Sequence, residues 1–360
     1  MNKTSLNKKP SDSNFLFGNE GYKSLSDFII NKNYSKVFVL VDNNTNKNCF
    51  SHFQNQISSN IKLNKLLTKP GEINKNISSC LKIWGELSNL SCDRNSVLIN
   101  LGGGVITDIG GFIASTFKRG IDFINIPTSL LSMVDASIGG KNGIDLGVLK
   151  NQIGVFKNPN LILIDELYLD SLPLNEFKSG FSEMLKHALI SDINYWEKLK
   201  YFDFYKKKEI LSLIKKSIEI KKDIVLKDPL ERNLRKTLNL GHTIGHAIES
   251  YFMESSKNEI LLHGEAIGIG MIIESYLSNK YCNLNMTEVD DIKKVFNKIF
   301  QKVNFNNSII ESIYDLLIYD KKNSYGKINF VLIKRIGEPA IDLEVSKKAI
   351  IEGFDFYMEK

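Results

Sequence analysis

The sequence predicts an α/β chain that gives way to a helical one, with a boundary near residue 173. Three observations carry this. Short, compact, β-branched apolar runs alternate with helix-like segments through the first half, as in βαβ units. A glycine-rich turn, GGGVITDIGG at residues 102–111, separates one such run from a helix start. After Leu172-Pro173 the strand signals nearly vanish and helical periodicity takes over.

In chain order, the strand-like runs are residues 36–41 (KVFVLV), 61–67, 96–100 (SVLIN), 123–127 (FINIP) and 161–165 (LILID). Runs this apolar suit strands buried on both faces of a parallel sheet. Residues 77–90 and 105–117 read as the intervening helices. Beyond 173, residues 176–191, 206–225, 234–253 and 264–280 carry helical periodicity, and one late strand-like run follows at 328–333 (INFVLI). The expected division is therefore 1–173 and 174–360.

Composition narrows the function classes. With 42% apolar and 24% charged residues, the 360-residue chain is ordinary for a soluble globular protein. Its 47 basic and 41 acidic residues give a net charge of +6, and the lysines are scattered, which describes a solvated surface. No aromatic-interleaved basic stripe supports nucleic-acid binding. Cys49, Cys80, Cys92 and Cys282 lack metal-ribbon spacing or a dense disulfide framework. The N-terminal residues carry charge with no apolar stretch behind them, and no run is long enough to span a bilayer. A cytoplasmic protein without membrane contact is expected.

Glycines at a strand-to-helix turn let backbone N–H groups and the helix dipole approach a phosphate, so Gly103 and Gly104 suggest a dinucleotide site. Asp42 and Asn44 follow the first strong strand, where such groups can bond a ribose, and Pro70-Gly71-Glu72 forms a second glycine turn. The segment SIGGKNG at 137–143, with Asp135 just ahead, reads as an anion nest holding Lys141.

The densest polar pattern is RKTLNLGHTIGH at 235–246. If this segment is helical, Arg235, Asn239, His242 and His246 share one stripe within about 60° of arc. Only five histidines occur in the chain, so a metal or an anionic substrate is the natural reading. His242 and His246 could bind one ion together, or one could ligate while the other handles substrate. His263 opens HGEAIGIGM, whose small residues allow close approach to a neighbouring helix, and Glu183 with Lys186 lies in SGFSEMLKH. Lys150-Asn151, Lys221, Glu231 and Asp320-Lys321-Lys322 add groups suited to a phosphorylated, carboxylated polyol.

Taken in order, GGGVITD, PTSLLSMVDASIGGKNGID, KNQIGVF, SGFSEMLKH, RKTLNLGHTIGHAIE and HGEAIGIGM resemble the 3-dehydroquinate synthase family of sugar-phosphate cyclases, over roughly residues 36 to 335. The resemblance implies a Rossmann-like NAD-binding domain and a helical metal- and substrate-binding domain. It implies one divalent ion, zinc or cobalt, on Glu183, His242 and His263. NAD contacts fall to Asp42, Asn44, Gly71, Glu72, Lys75, Gly103, Gly104, Val105, Asp108, Thr128 and Ser129, with Lys141 and Lys150 nearby. Catalytic roles fall to His246, Lys141, Asp135, Lys186, Arg235 and Asn239. Substrate contacts fall to Lys150, Asn151, Lys221, Glu231, Lys321 and Arg119, the last reaching a neighbouring subunit in a homodimer.

The implied reaction turns 3-deoxy-D-arabino-heptulosonate 7-phosphate into 3-dehydroquinate and phosphate, a step of the shikimate pathway to chorismate and aromatic amino acids. Its course is transient oxidation by NAD, β-elimination of phosphate, re-reduction, ring opening and aldol closure. The rival readings are a 2-deoxy-scyllo-inosose or epi-valiolone synthase, and a metal-dependent polyol dehydrogenase, which would release NADH.

Overall fold

The structure, a computed structural model, describes residues 14–147, 149–204, 209–254, 261–319 and 328–359. They fall into two compact units, one ending at Pro173 and the other beginning at Leu174, with residues near 210 grouping with the first. No helix among the described residues is long and apolar enough to cross a membrane.

The first unit is built on a six-stranded parallel sheet. Its strands are β1 (Phe15–Phe17), β2 (Val37–Asp42), β3 (Leu63–Thr68), β4 (Val97–Gly102) and β5 (Asp122–Pro127) and, after the antiparallel hairpin β6 (Lys141–Leu146) and β7 (Leu149–Phe156), β8 (Leu161–Ile164). Their spatial order is β1-β8-β5-β4-β2-β3. The helices are α1 (Gly18–Lys32), α2 (Asn43–Asn48), α3 (Phe50–Gln56), α4 (Ile77–Asn89) and α5 (Gly104–Thr116). Val37 to Val41 and all of β4 are buried, which is why those runs are apolar throughout rather than alternating. Phe38, Leu40 and Leu98 share one core with Cys80, Ile83 and Leu87 of α4 and Ile106, Ile109 and Ile113 of α5.

Strand order decides where this unit can hold a ligand. From β2 the chain moves outward to β3, then returns to the other side of β2 as β4, so the order reverses between β2 and β4. The crevice beyond the carboxyl ends of strands at such a reversal is the usual ligand position in open α/β sheets. Asp42 and Gly102 end the two strands concerned, with Thr68 and Pro127 ending their outer neighbours.

The second unit contains α6 (Leu174–Ser191), α7 (Ile193–Lys200), α8 (Ile210–Lys227), α9 (His242–Glu254), α10 (His263–Cys282), α11 (Met286–Ile299), α12 (Asn307–Tyr319) and α13 (Lys347–Met358), with one antiparallel hairpin, β9 (Asn329–Arg335) and β10 (Glu338–Glu344). Helix α10 is its axis, packed by α6, α9, α11, α13 and β9. Partners on so many sides explain why its middle, Ala266 to Ser275, is buried all round rather than along one stripe.

Local structure departs from the sequence reading in three places. Residues 234–253 are not one helix. A 3₁₀ segment spans Leu234–Asn239, Gly241 turns left-handed at φ +78°, and α9 starts afresh at His242. The shared stripe of Arg235, Asn239, His242 and His246 therefore does not exist, because two separate segments present its halves. The turn at Gly102 to Gly104 contains no left-handed residue, and its glycines serve close approach alone: a Cβ on Gly102 would meet Ile106 at 2.6 Å. The nest reading of 137–143 fits only its middle, where Gly139 and Gly140 have φ of +100° and +68°, since Lys141 already begins β6. β10 had no clear sequence signal.

Two of the five histidines serve the fold. His52 on α3 lies 2.7 Å from buried Asp165 beyond β8, where Tyr22 of α1 also donates at 2.9 Å and contacts Tyr168. His187 on α6 is fully buried and its Nδ1 lies 2.6 Å from Ser217 of α8.

Candidate functional site

Three helices of the second unit converge on one carboxylate. Glu183 of α6 is fully buried, and its Oε1 lies 3.6 Å from His242 Nε2 and 3.5 Å from His263 Nε2. One ligand atom from each of the three residues lies within 4.8 Å of the others. The far nitrogens settle which face each ring presents. His242 Nδ1 is 3.1 Å from the Leu240 carbonyl, and His263 Nδ1 is 3.2 Å from Glu249 Oε2. Both partners can only accept, so Nδ1 is the nitrogen that keeps its proton, and Nε2, which faces Glu183, is the nitrogen left to ligate an ion. One carboxylate oxygen and two imidazole nitrogens with oriented rings are the donor set of a catalytic zinc-type site.

Close helix packing makes this possible. Gly270 of α10 lies against Gly241 and Gly245, where a Cβ would fall on the Gly241 carbonyl and within 2.9 Å of the Gly245 nitrogen. Gly264 abuts the Ser179 backbone of α6, and its N–H donates to Ser179 Oγ at 2.9 Å. Glu274, fully buried on α10, accepts from the Gly241 N–H at 2.5 Å and the Ile244 N–H at 3.4 Å, so it caps α9 at the turn before the histidines.

Of the other nominated residues in this unit, Lys186 and His246 touch this group, while Arg235 and Asn239 are bonded to the loop before it. Lys186, 1% exposed, pairs with Glu183 one turn away. His246 packs edge-on to His242, ring centroids 5.1 Å apart. Lys221 of α8 is buried. Buried Arg235 donates through Nη1 to the Pro229 carbonyl at 2.8 Å, and Asn239 donates to Glu231 at 2.8 Å. Asp228, which the sequence did not suggest, organises that loop by accepting from the N–H groups of Arg232, Asn233 and Arg235. Slight burial raises its pKa, but those donors outweigh it and hold the carboxyl below its ordinary value.

The first unit gathers most of the other nominated residues at the carboxyl edge of its sheet, but not Arg119, which lies just before β5 begins. Asp42 ends β2 and caps α2, accepting from Thr45 N–H at 2.8 Å, with exposed Asn44 beside it. Gly71 follows β3 with φ +93°; Gly103 caps α5, and Gly104 and Val105 open it. Thr128 N–H donates to the Gly102 carbonyl at 3.0 Å, and Ser129 Oγ lies 3.3 Å from where a Cβ on Gly103 would be.

Lys75, only 4% exposed, draws four nominated residues together. Its Nζ lies 2.7 Å from Glu72, 3.5 Å from Asp108 and 2.9 Å from Asn151 Oδ1, while Lys150 approaches Glu72 at 3.9 Å. Burial lowers the Lys75 pKa, but the surrounding carboxylates overcome that and keep it charged. Asp145, missed in the sequence, accepts the Asn151 N–H at 2.7 Å and so supports its left-handed backbone at φ +51°. Burial pushes the Asp145 carboxyl up, against the pull of Lys75.

Asp135 lies in the π-type turn Ser132–Ala136, Lys141 is exposed at the start of β6, and Arg119 is exposed with φ +67° after α5. Lys321 lies outside the described residues.

Comparison with known proteins fixes the family. Residues 65–179 match the 3-dehydroquinate synthase N-terminal family and residues 180–323 the corresponding C-terminal family. The chain belongs to the 3-dehydroquinate synthase family. The 3-dehydroquinate synthase of Parabacteroides distasonis is 41% identical over 93% of this chain and 95% of its own, and that of Ruminiclostridium cellulolyticum is 38% identical over 87% of each. Among solved structures, a 2-deoxy-scyllo-inosose synthase complexed with carbaglucose-6-phosphate, NAD+ and Co2+ aligns with a TM-score of 0.83 at 24% identity, covering 94% and 95% of the two chains. A 2-epi-5-epi-valiolone synthase from Streptomyces hygroscopicus with NAD+ and Zn2+ bound aligns at 0.84 and 21%, covering 99% of each. At such identities these two show that the 3-dehydroquinate synthase family shares its fold with other cyclases.

Proposed function

We propose that the protein catalyses the 3-dehydroquinate synthase reaction, converting 3-deoxy-D-arabino-heptulosonate 7-phosphate to 3-dehydroquinate and phosphate. The observation that carries this reading is the convergence of Glu183, His242 and His263, within a chain 41% identical to a protein of that name. Glu183, His242 and His263 hold a divalent ion, and the sheet edge with Asp42, Gly71, Glu72, Lys75, Gly103, Gly104, Val105, Asp108, Thr128 and Ser129 holds NAD. When bound, these supply acidification of a substrate hydroxyl and a reversible hydride acceptor.

The chain's own residues bind and orient. Arg235, as a fork-shaped donor, suits the substrate carboxylate, with Lys186 and Asn239 on neighbouring hydroxyls. Lys141, Lys150, Asn151, Lys221 and Lys321 bring positive charge and amide donors to the phosphate end. His246, beside the ligand histidines, moves a proton as phosphate leaves. Assembly as a homodimer, each Arg119 serving the neighbouring subunit, is supported by the apolar side chains that the β6–β7 hairpin leaves exposed: Leu146, Leu149, Ile153 and Phe156.

The test supplies the heptulosonate phosphate with NAD and zinc, and follows phosphate, NADH and product together. Stoichiometric phosphate and 3-dehydroquinate without accumulated NADH is the expected result. Accumulating NADH would select a polyol dehydrogenase, and a different carbocycle another cyclase.

Metal uptake should depend on pH. Burial alone would lower the His263 pKa, but Glu249 and Glu183 outweigh it and raise it to about 10 in the metal-free protein. The ring must lose that proton to ligate, so between about pH 7 and 9 affinity should rise about tenfold per pH unit, with one proton released by this ring. Calorimetry in buffers of different ionisation enthalpy reads this; affinity flat across that range would show that the ring is already neutral there and that the two carboxylates do not hold its proton.

A further inference from the structure

We infer that Glu249 is the positioning residue that aims His263 at the metal. Glu249 lies on α9 one turn beyond His246, is 6% exposed, and its Oε2 is 3.2 Å from His263 Nδ1. The opposite ring nitrogen, Nε2, faces Glu183 Oε1 at 3.5 Å. His263 thus stands between two carboxylates, and His242 shows which of them is the ligand. Its own Nε2 also faces Glu183 Oε1, whereas its Nδ1 is engaged by the Leu240 carbonyl. Two Nε2 atoms converge on Glu183, so Glu249 is the outer partner, matching the Leu240 carbonyl on the other ring. His263 is the first residue of α10 and 27% exposed, so helix packing alone constrains its ring less than that of buried His242. A carboxylate on Nδ1 sets the tautomer, fixes the ring plane and raises ligand basicity.

A competing arrangement uses the same atoms. One ligand atom each from His246, Glu249 and His263 also lies within 4.8 Å of the others, so Glu249 could instead ligate a second ion.

The inference rests on the metal reading above, and the experiment separates the two. Zinc is titrated into the full-length protein against a chromophoric chelator, for the wild type and for Glu249→Ala, Glu249→Gln and His242→Ala. One ion per wild-type chain is expected, bound about 10- to 100-fold more weakly by Glu249→Ala. Glu249→Gln, which keeps an oxygen acceptor without the charge, should recover part of the loss, and thermal melts of both metal-free variants matching wild type set a folding defect aside. Unchanged affinity in Glu249→Ala overturns the inference alone, provided His242→Ala loses the ion. Two ions per wild-type chain, with one lost in Glu249→Ala, overturns it by making Glu249 a ligand. Undiminished affinity in His242→Ala removes the metal reading and this inference together.

Discussion

His263→Ala is expected to lower the rate of phosphate release by about three orders of magnitude or more, with loss of bound metal. A Lewis acid supplies several kcal/mol of charge stabilisation at the reacting oxygen, and each 1.36 kcal/mol is about a factor of ten in rate. The variant removes one of the two imidazoles facing Glu183, leaving His242 and a carboxylate paired with Lys186. Two ligands do not make a catalytic zinc site. NAD affinity, assigned to the sheet of the other unit, should stay within a few fold of wild type. His52→Gln is the control, because that histidine serves Asp165 and lies in the other unit. Metal analysis and single-turnover kinetics read the outcome; full metal content with a full rate in His263→Ala would refute the ligand assignment.

Gly270→Ala should cost roughly 2–4 kcal/mol of stability and most of the metal affinity. On helix propensity alone the change would stabilise by about 1 kcal/mol, because glycine is the poorer helix former. The opposite sign is expected because the added carbon would fall on the Gly241 carbonyl and within 2.9 Å of the Gly245 nitrogen. Both contacts are backbone of the α9 start, so no side chain can swing aside. The relief available is for α9 to move away from α10, which carries His242 away from His263. Denaturant titration with zinc stoichiometry reads both effects. A variant as stable as wild type would show that the two helices do not need this spacing.

How much of this was legible in the residues depends on the range of the interaction involved. The buried strands announced themselves because parallel strands covered on both faces must be apolar along their length, as β2 and β4 are. The Gly102 to Gly104 turn also fell where expected, at a strand-to-helix junction. The helix assumed across Arg235 to His246 failed at Gly241, whose left-handed φ is local but which a helix can also tolerate as a mere weak point. The choice of Glu183, His242 and His263 came through family resemblance, because nothing in intrahelical spacing shows which three helices will meet. Asp228 drew no notice, and Glu249 and Asp145, although they close two of the motifs that carry the resemblance, received no role. Each acts through a hydrogen bond set by tertiary structure or by a left-handed loop, and a lone acidic residue in a sequence carries no mark of that work.

Glu274 has a mechanical meaning beyond capping. Its carboxylate is fully buried and is met by N–H groups at the turn that opens α9. Sliding α9 one turn, about 5.4 Å, along α10 would strip a buried carboxyl group of those donors, at a penalty of several kcal/mol. The helix pair is therefore keyed, like a shaft in a slot, against axial slip. A movement that keeps these bonds shifts His242, His246 and His263 together.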